Sequence, residues 1–444
     1  MKRLLNALGI DKGIAHDSIV SFLLKILHAG LTLSVAVMLA RFMGPAHYGI
    51  YAFVFSLVTL FTIPVQLGLP ILVVRETAAA RVRQEWETFG QIWRWSNQLV
   101  LIASSIVVVG GAALLLFFWE HVSFTMRWAY FWALPLIPLL SLAALHGAAL
   151  RGLDRVFVGQ LPDHILRLGL FAAMLLAWLS WSRGITAASA VFLHAIAALA
   201  ALIFAYAALR RVRPTIKSQE RISYNQTRAW VLNIIPLGFV AAAHVINTRS
   251  DIILLGILTD AESVGVYQVS IQAAQAVAMG IGAVALVIGP RFAALFETGQ
   301  TAALQRLATF STRSVVVLTL PVVTLLVLGG EVLIQVVFGS DYRSAYYPMV
   351  VLASGQLIIA GFGSVVVLLT MTGYESATAK GLAFAAGLNM ILNLFLIPRF
   401  GIIGASMATT LSVLFWNLIL WNYARKNLGI NTFALRFQQE NTAT

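Results

Sequence analysis

The segment SNQLVLIASSIVVVGGAALLLFF, residues 96–118, contains no Asp, Glu, Lys, Arg or His in twenty-three positions. As an α-helix it is about 35 Å long, which is enough to cross the roughly 30 Å hydrocarbon core of a bilayer. Comparable apolar runs occupy residues 19–40, 49–69, 129–150, 161–182, 186–209, 229–257, 264–289, 311–337, 346–371, 379–397 and 401–423. The sequence therefore predicts an all-α membrane protein with about twelve transmembrane helices.

The composition excludes several classes of function. Hydrophobic residues make up 60% of the 444 positions and charged residues only 11%, whereas soluble chains are about 25% charged. The chain has no cysteine, which excludes disulfides, thiolate catalysis and Cys-bound zinc. It also has no GxxxxGK[ST] phosphate loop, no HExxH motif and no closely spaced set of His and Asp residues of the kind that binds a metal. We therefore expect no cofactor, no metal and no nucleotide hydrolysis.

The basic residues predict the orientation of the chain. If the N-terminus is cytoplasmic, 23 of the thirty Lys and Arg residues fall in inner segments and five in outer segments. Both termini are therefore predicted to be cytoplasmic. The N-terminal residues, with Lys2, Arg3 and Lys12 among leucines, are predicted to form a short amphipathic helix on the membrane surface. This distribution also accounts for the net charge of +13. We expect no nucleic-acid partner.

A basic loop divides the predicted helices into two sets of six. The predicted organisation is an interfacial N-terminus (1–18), a six-helix bundle (19–209), a basic cytoplasmic linker (210–228), a second six-helix bundle (229–424) and a cytoplasmic tail (425–444). Weak internal similarity supports a duplication: at an offset of 216 residues, Leu39, Gly49, Ile50 and Tyr51 match Leu255, Gly265, Val266 and Tyr267. Because each bundle has an even number of helices, both bundles would enter the membrane from the same side. They would therefore be related by a pseudo-twofold axis along the membrane normal.

Charged and imidazole side chains inside the predicted spans are the first candidates for function, because burying them in lipid is costly. Lys25 and His28 lie three residues apart on the first helix and so share a face. The seventh helix carries His244, Arg249 and Asp251. The structural alternatives stay open: Lys25 reaching to the interface, His28 as a packed polar residue, and Arg249 and Asp251 as partners of other helices.

Two arginines mark the inner ends of helices at matching places in the two halves, Arg75 after the second helix and Arg291 after the eighth. The main intramembrane acids are Asp163 and Asp251, so Asp163, Asp251 and His28 are the candidates for ion or proton coupling. Asp163 and Arg167 could instead neutralise each other at i,i+4 spacing. Because most intramembrane charges are positive, we expect a cationic cavity and an anionic substrate.

The run MLARFMGPAHYGIY (38–51), followed by Gly-Leu-Pro at 68–70 and Arg-Glu at 75–76, resembles the start of the polysaccharide-exporter or oligosaccharide flippase family. Arg-Ser-Asp at 249–251 and Gly-Val-Tyr at 265–267 resemble its second half. One departure is Met43 in place of the usual leucine. This family belongs to the multidrug/oligosaccharidyl-lipid/polysaccharide exporter superfamily.

The resemblance implies a non-enzymatic transporter that flips undecaprenyl-diphosphate-linked oligosaccharides across the bacterial inner membrane by alternating access, for O-antigen, capsule or exopolysaccharide assembly. It implies membrane lipids, a polysaccharide polymerase and chain-length proteins as partners, and Lys25 and Arg249 as first contacts of the headgroup. One alternative is a multidrug or small-molecule antiporter of the same superfamily. The other is a membrane polysaccharide polymerase, which needs a sizeable outer loop, whereas the longest segment outside the predicted spans has roughly twenty residues.

Overall fold

The computed structural model describes residues 12–121, 123–182, 184–213 and 224–434. Within these ranges every regular element is helical and no strand occurs. Most of the predicted interfacial N-terminus, the middle of the predicted basic linker and the last ten residues lie outside the described residues. The prediction of an all-α membrane protein is confirmed.

Ten helices of the described chain are long and apolar enough to cross a membrane, and two of these consist of two helices joined at a glycine. The glycines are Gly44, with φ of 73°, and Gly401, with φ of 55°. This gives twelve membrane helices, which we number α1 (12–43), α2 (45–66), α3 (Trp86–Phe117), α4 (Phe124–Gly152), α5 (Val156–Trp181), α6 (Ala187–Val212), α7 (Tyr224–Leu258), α8 (Ala261–Glu297), α9 (Thr301–Val337), α10 (Tyr346–Phe362), α11 (375–400) and α12 (402–428).

Shorter helices accompany them. The helix Leu69–Arg83 follows α2, and the helix Val365–Met371 continues α10 after a break at Gly363. Eleven of the twelve predicted spans fall mainly on one membrane helix each, whereas the span 346–371 covers both α10 and the helix Val365–Met371; several helices are longer than their span. For example, α8 and α9 have 37 residues each, about 55 Å, and together include the polar stretch 290–310. The helices are longer than the predicted spans because helical hydrogen bonds continue outside the hydrocarbon core. Hydropathy detects only the apolar part of each helix.

By its contacts the chain divides into two compact units after Val245. The first unit includes the first part of α7, where Trp230 lies 5.3 Å from Trp95 of α3, measured between ring centroids. The predicted bundles divide at the basic loop and assign α7 wholly to the second half. The two divisions differ for a simple reason. The sequence places the whole of α7 with the helices that follow it, whereas the contacts place each part of this long helix with the residues that it packs against.

Within the first unit, α6 packs against α4 and α5 through small side chains. Its alanines at positions 190, 197, 198, 201 and 205 are fully buried. Small residues let helix backbones approach closely, which is the usual basis of helix association in lipid. His194 lies on the same face of α6 at helical spacing and is also buried. This imidazole is therefore held inside the bundle.

The Gly-Leu-Pro motif is a backbone break between α2 and the helix Leu69–Arg83. Leu67 and Gly68 both have positive φ, at 43° and 77°. A Cβ on Gly68 would lie 2.6 Å from Leu237 Cβ and 2.8 Å from the backbone nitrogen of Gly238, both on α7. Since real Cβ atoms do not approach backbone this closely, the position requires glycine for both conformation and space.

We predict that Gly68→Ala lowers the thermal stability of the purified protein in detergent. The left-handed conformation alone costs about 1–2 kcal/mol for a residue with a Cβ, and contact with the α7 backbone adds to that. Gly110→Ala is the control, because Gly110 lies in α3 with nothing within 4 Å of an added Cβ. Tryptophan fluorescence measures the melting temperature of each variant. Equal melting temperatures of Gly68→Ala and Gly110→Ala would contradict this explanation of the motif.

Candidate functional site: polar clusters in the two units

Lys25 and His28 lie on α1 with different surroundings. Lys25 is exposed, whereas His28 is half-buried. The His28 ring lies 4.9 Å from the ring of His164, and its Nδ1 is 3.0 Å from the His164 carbonyl oxygen. Because a carbonyl only accepts hydrogen bonds, Nδ1 of His28 carries the hydrogen. This bond ties α1 to α5.

The α5 segment that meets His28 is a π-helix, Pro162–Leu166. The backbone N–H of Arg167 bonds to the carbonyl of Pro162, five residues earlier rather than four. Pro162 itself has no backbone N–H to donate. In the described chain no salt bridge within 4.0 Å joins Asp163 to Arg167. The wider π-turn rotates positions four residues apart away from each other, and such turns are frequent at functional sites.

Six ionisable side chains come together here, and we call them the first-unit charge cluster: Lys25, His28, Arg151, Asp163, His164 and Arg167. Asp163 is within electrostatic reach of Arg151, Arg167 and His28, and His164 is within reach of Lys25. The cluster holds three permanent cations and one carboxylate. Nε of Arg167 and Nδ1 of His164 are buried and have no hydrogen-bond partner among the described protein atoms. The structure thus provides unused donors next to excess positive charge.

Arg167 is held from behind by His194 of α6. Its Nη1 lies 2.6 Å from Nε2 of His194, and Nδ1 of His194 lies 2.8 Å from the hydroxyl of Tyr51 on α2. A guanidinium only donates, so Nε2 accepts from Arg167 and Nδ1–H donates to Tyr51. His194 is therefore neutral. Sequence reasoning missed this residue because a single histidine in an apolar alanine-rich helix gives no signal of its partner.

The second unit contains a different polar cluster, centred on the buried Asp251 of α7. Oδ2 of Asp251 accepts a 2.8 Å hydrogen bond from the hydroxyl of Tyr267 and a longer one, 3.4 Å, from Thr409 of α12. Oδ1 accepts from the backbone N–H of Ile252 at 2.8 Å. Arg249 is within electrostatic reach. The carboxylate is thus satisfied by neutral donors on three helices.

Asn389 of α11 extends this cluster. Its Oδ1 accepts from Ser250 at 2.7 Å and from Asn393 at 2.9 Å, and its Nδ2 donates to Ser412 and Thr409 at 3.2 Å each. Asn389 and Asn393 are fully buried. We call Ser250, Asp251, Tyr267, Asn389, Asn393, Thr409 and Ser412 the second-unit oxygen cluster. It brings several oxygen atoms together around one carboxylate.

The remaining predicted site residues lie elsewhere. Arg75 is exposed on the helix Leu69–Arg83 and bonds to the adjacent Glu76 at 3.0 Å. His244 and Arg291 are exposed on α7 and α8, and Arg249 is half-buried. Lys25, His28 and Asp163 are therefore the predicted residues that the first unit gathers. Across the described ranges, no three His, Asp or Glu side chains are grouped so as to hold a metal ion.

Twelve membrane-length helices with charged and hydrogen-bonding side chains inside them define a polytopic membrane protein. Solved structures share the fold. A multidrug resistance MATE family transporter of the MOP superfamily, inward-facing, superimposes with a TM-score of 0.74 at 12% identity, covering 93% of this chain and 98% of that one. The lipid II flippase MurJ, inward closed, gives 0.69 at 14% identity, covering 93% and 87%.

The chain belongs to the family described as polysaccharide biosynthesis protein, whose model matches residues 14–296. A probable low-salt glycan biosynthesis flippase of Haloferax volcanii is 25% identical over 162 residues, 36% of this chain and 34% of that protein. An uncharacterized membrane protein of Methanocaldococcus jannaschii is 24% identical over 234 residues, 50% and 44%. The chain thus aligns with less than half the length of either relative. The chain therefore belongs to this family and has the fold of these membrane transporters, and the predicted family is confirmed.

We predict that Asn389→Ala destabilises the protein by about 1–2 kcal/mol, because it leaves several buried groups without partners. Thermal unfolding in detergent measures the effect. Asn427→Ala is the matched control, since Asn427 is exposed and its side chain bonds to a carbonyl of its own helix α12. If both variants have the same melting temperature as the wild type, the second-unit oxygen cluster contributes nothing measurable to stability.

Proposed function

We propose that the chain is a flippase that moves an undecaprenyl-diphosphate-linked oligosaccharide from the inner to the outer leaflet of the bacterial inner membrane by alternating access. The product would feed O-antigen, capsule or exopolysaccharide assembly. The observation that carries the substrate class is the first-unit charge cluster, with three permanent cations and one carboxylate. A diphosphate that leaves water needs charged donors of this kind.

The proposed binding residues are Lys25, His28, Arg75, His244, Arg249 and Arg291. Lys25 and His28 have the strongest support, because they belong to the charge cluster. The proposed partners are membrane lipids and, downstream, a polysaccharide polymerase with chain-length proteins. The excess of Lys and Arg in alternate loops supports a location with both termini in the cytoplasm.

The membrane potential can supply part of the driving force. Moving one negative charge outward across an inside-negative membrane gains about 2.3 kcal/mol per 100 mV. A diphosphate carries more than one negative charge, so its export gains energy from the potential whenever no counter-ion cancels the charge movement.

We predict that Lys25→Ala lowers surface polysaccharide about tenfold in a strain that depends on this chain, because a charge-assisted contact to phosphate is lost. Immunoblotting of membranes should show a normal amount of protein. The matched control is Lys380→Ala, which removes an exposed lysine of α11 in the second unit. Unchanged polysaccharide in the Lys25 variant would refute the assignment of this residue.

A multidrug or small-molecule antiporter is the second candidate, favoured by the likeness to the MATE transporter fold. The positive charge cluster argues against it, since cationic drugs require acidic sites. Vesicles that contain the purified chain discriminate between the two: efflux of a cationic dye against its gradient would support the antiporter. Movement of a lipid-linked oligosaccharide without dye efflux would support the flippase.

Asp163, Asp251 and His28 are the proposed sites of ion or proton coupling, and Asp251 has the surroundings that suit this role best. Its carboxylate is 4% exposed and faces hydroxyl and amide groups of the second-unit oxygen cluster, with no arginine or lysine bonded to it among the described contacts. A buried carboxylate among oxygen ligands can take up either a proton or a small cation.

We predict that Asp251→Asn abolishes the dependence of transport on a sodium or proton gradient in reconstituted vesicles, while transport driven by the membrane potential remains. The amide is nearly isosteric but carries no charge, so it cannot exchange a counter-ion. Asp260→Asn, at the exposed N-terminus of α8, is the control. Retention of full gradient dependence in the Asp251 variant would exclude this residue as the coupling site.

A further inference from the structure

Arg167 differs from an arginine that only stabilises a helix bundle. Buried arginines are normally paired with a carboxylate, because an uncompensated charge is costly inside a protein or membrane. In the described chain no salt bridge within 4.0 Å joins Arg167 to Asp163, the acid one turn before it. Its close partner is instead the neutral imidazole of His194, at 2.6 Å. The positive charge of Arg167 is thus fixed in place without being neutralised by that partner.

The support behind Arg167 is rigid. His194 is 2% exposed, and its ring stacks on Phe55 and Phe171 with centroids 4.9 and 4.6 Å away. The Tyr51 hydroxyl bonds to Nδ1 at 2.8 Å, which fixes the tautomer that offers a lone pair at Nε2 to Arg167. Two buried side chains therefore set the direction of one guanidinium.

The remaining donors of Arg167 fit an oxyanion. A guanidinium has five N–H groups, of which one is used by His194, and the Nε–H is buried with no partner among the described protein atoms. The side chain as a whole is only half-buried, so a ligand can reach it. Arg167, Arg151 and Lys25 are all within electrostatic reach of His164, and Asp163 is the one carboxylate of the same charge cluster. Planar bidentate donors next to further cations are the arrangement that phosphate groups prefer.

We propose that Arg167 contacts a phosphate of the substrate and that His194 and Tyr51 are positioning residues that hold its guanidinium in one direction. This inference rests on the proposed function, since it requires a substrate with a diphosphate link. It adds three residues, one on each of α5, α6 and α2, to those expected from the sequence.

The test measures the preference of the purified protein for farnesyl diphosphate over farnesol, two probes that share an isoprenoid chain and differ in the diphosphate. The wild type should bind the diphosphate more tightly. Arg167→Gln should reduce that preference about tenfold or more. Arg167→Lys should reduce it by less, because lysine keeps the positive charge but cannot bind a phosphate through two parallel N–H groups. Affinity for farnesol should stay unchanged.

The positioning residues are tested by the same ratio. Tyr51→Phe keeps the ring and its stacking but removes the hydroxyl, and should reduce the preference roughly threefold to tenfold. His194→Gln, which retains an acceptor oxygen, should retain more preference than His194→Leu. Tyr206→Phe is the control, because Tyr206 is an exposed residue of the same helix as His194.

The outcomes separate the two levels of the proposal. A wild type without preference for the diphosphate would overturn the proposed substrate class and this inference together. A wild type with preference, and an Arg167→Gln variant that keeps it, would overturn only the role of Arg167. An equal loss of affinity for both probes would show that Arg167, His194 and Tyr51 are merely structural.

Discussion

In the hydrocarbon core of a membrane no water is present to bond to backbone N–H and C=O groups, so each must be satisfied within the protein. Helices do this locally, which explains why the described chain is helical throughout and why its membrane segments are long and continuous. The same constraint makes every departure from regular helix costly. The departures in the described chain are therefore informative, and they include Gly44, Gly68, Pro162, Gly363 and Gly401.

Two of these departures shape the first unit. At Gly68 the backbone takes a left-handed conformation that brings it against α7 with no space for a side chain. From Pro162 one turn of α5 is a π-helix, and in this segment His164 lies against His28 and Arg167 reaches His194. The first-unit charge cluster is thus built around a local departure from regular helical hydrogen bonding.

The two units use equivalent tyrosines for opposite chemistry. Tyr51 and Tyr267 align at the 216-residue offset of the predicted internal repeat, both are buried, and each hydroxyl enters a polar network. In the first unit the network ends on a guanidinium, that of Arg167, and in the second on a carboxylate, that of Asp251. A tyrosine can take part in both networks because its hydroxyl both donates and accepts hydrogen bonds.

The sequence by itself determined the membrane class, the number and place of the helices and the family, because hydropathy, helix length and short backbone motifs are local properties. It also singled out Lys25, His28 and Asp163, since a charge in an apolar run is costly wherever the helix packs. Only the tertiary structure decided their partners. His194 and Asn389 carry no local signal, and their roles depend on which helices meet, at which depth and with which face. The absent salt bridge between Asp163 and Arg167 follows from a π-turn that i,i+4 spacing does not anticipate. Which polar groups share a site inside a membrane protein is therefore set by helix packing, a property of the whole chain.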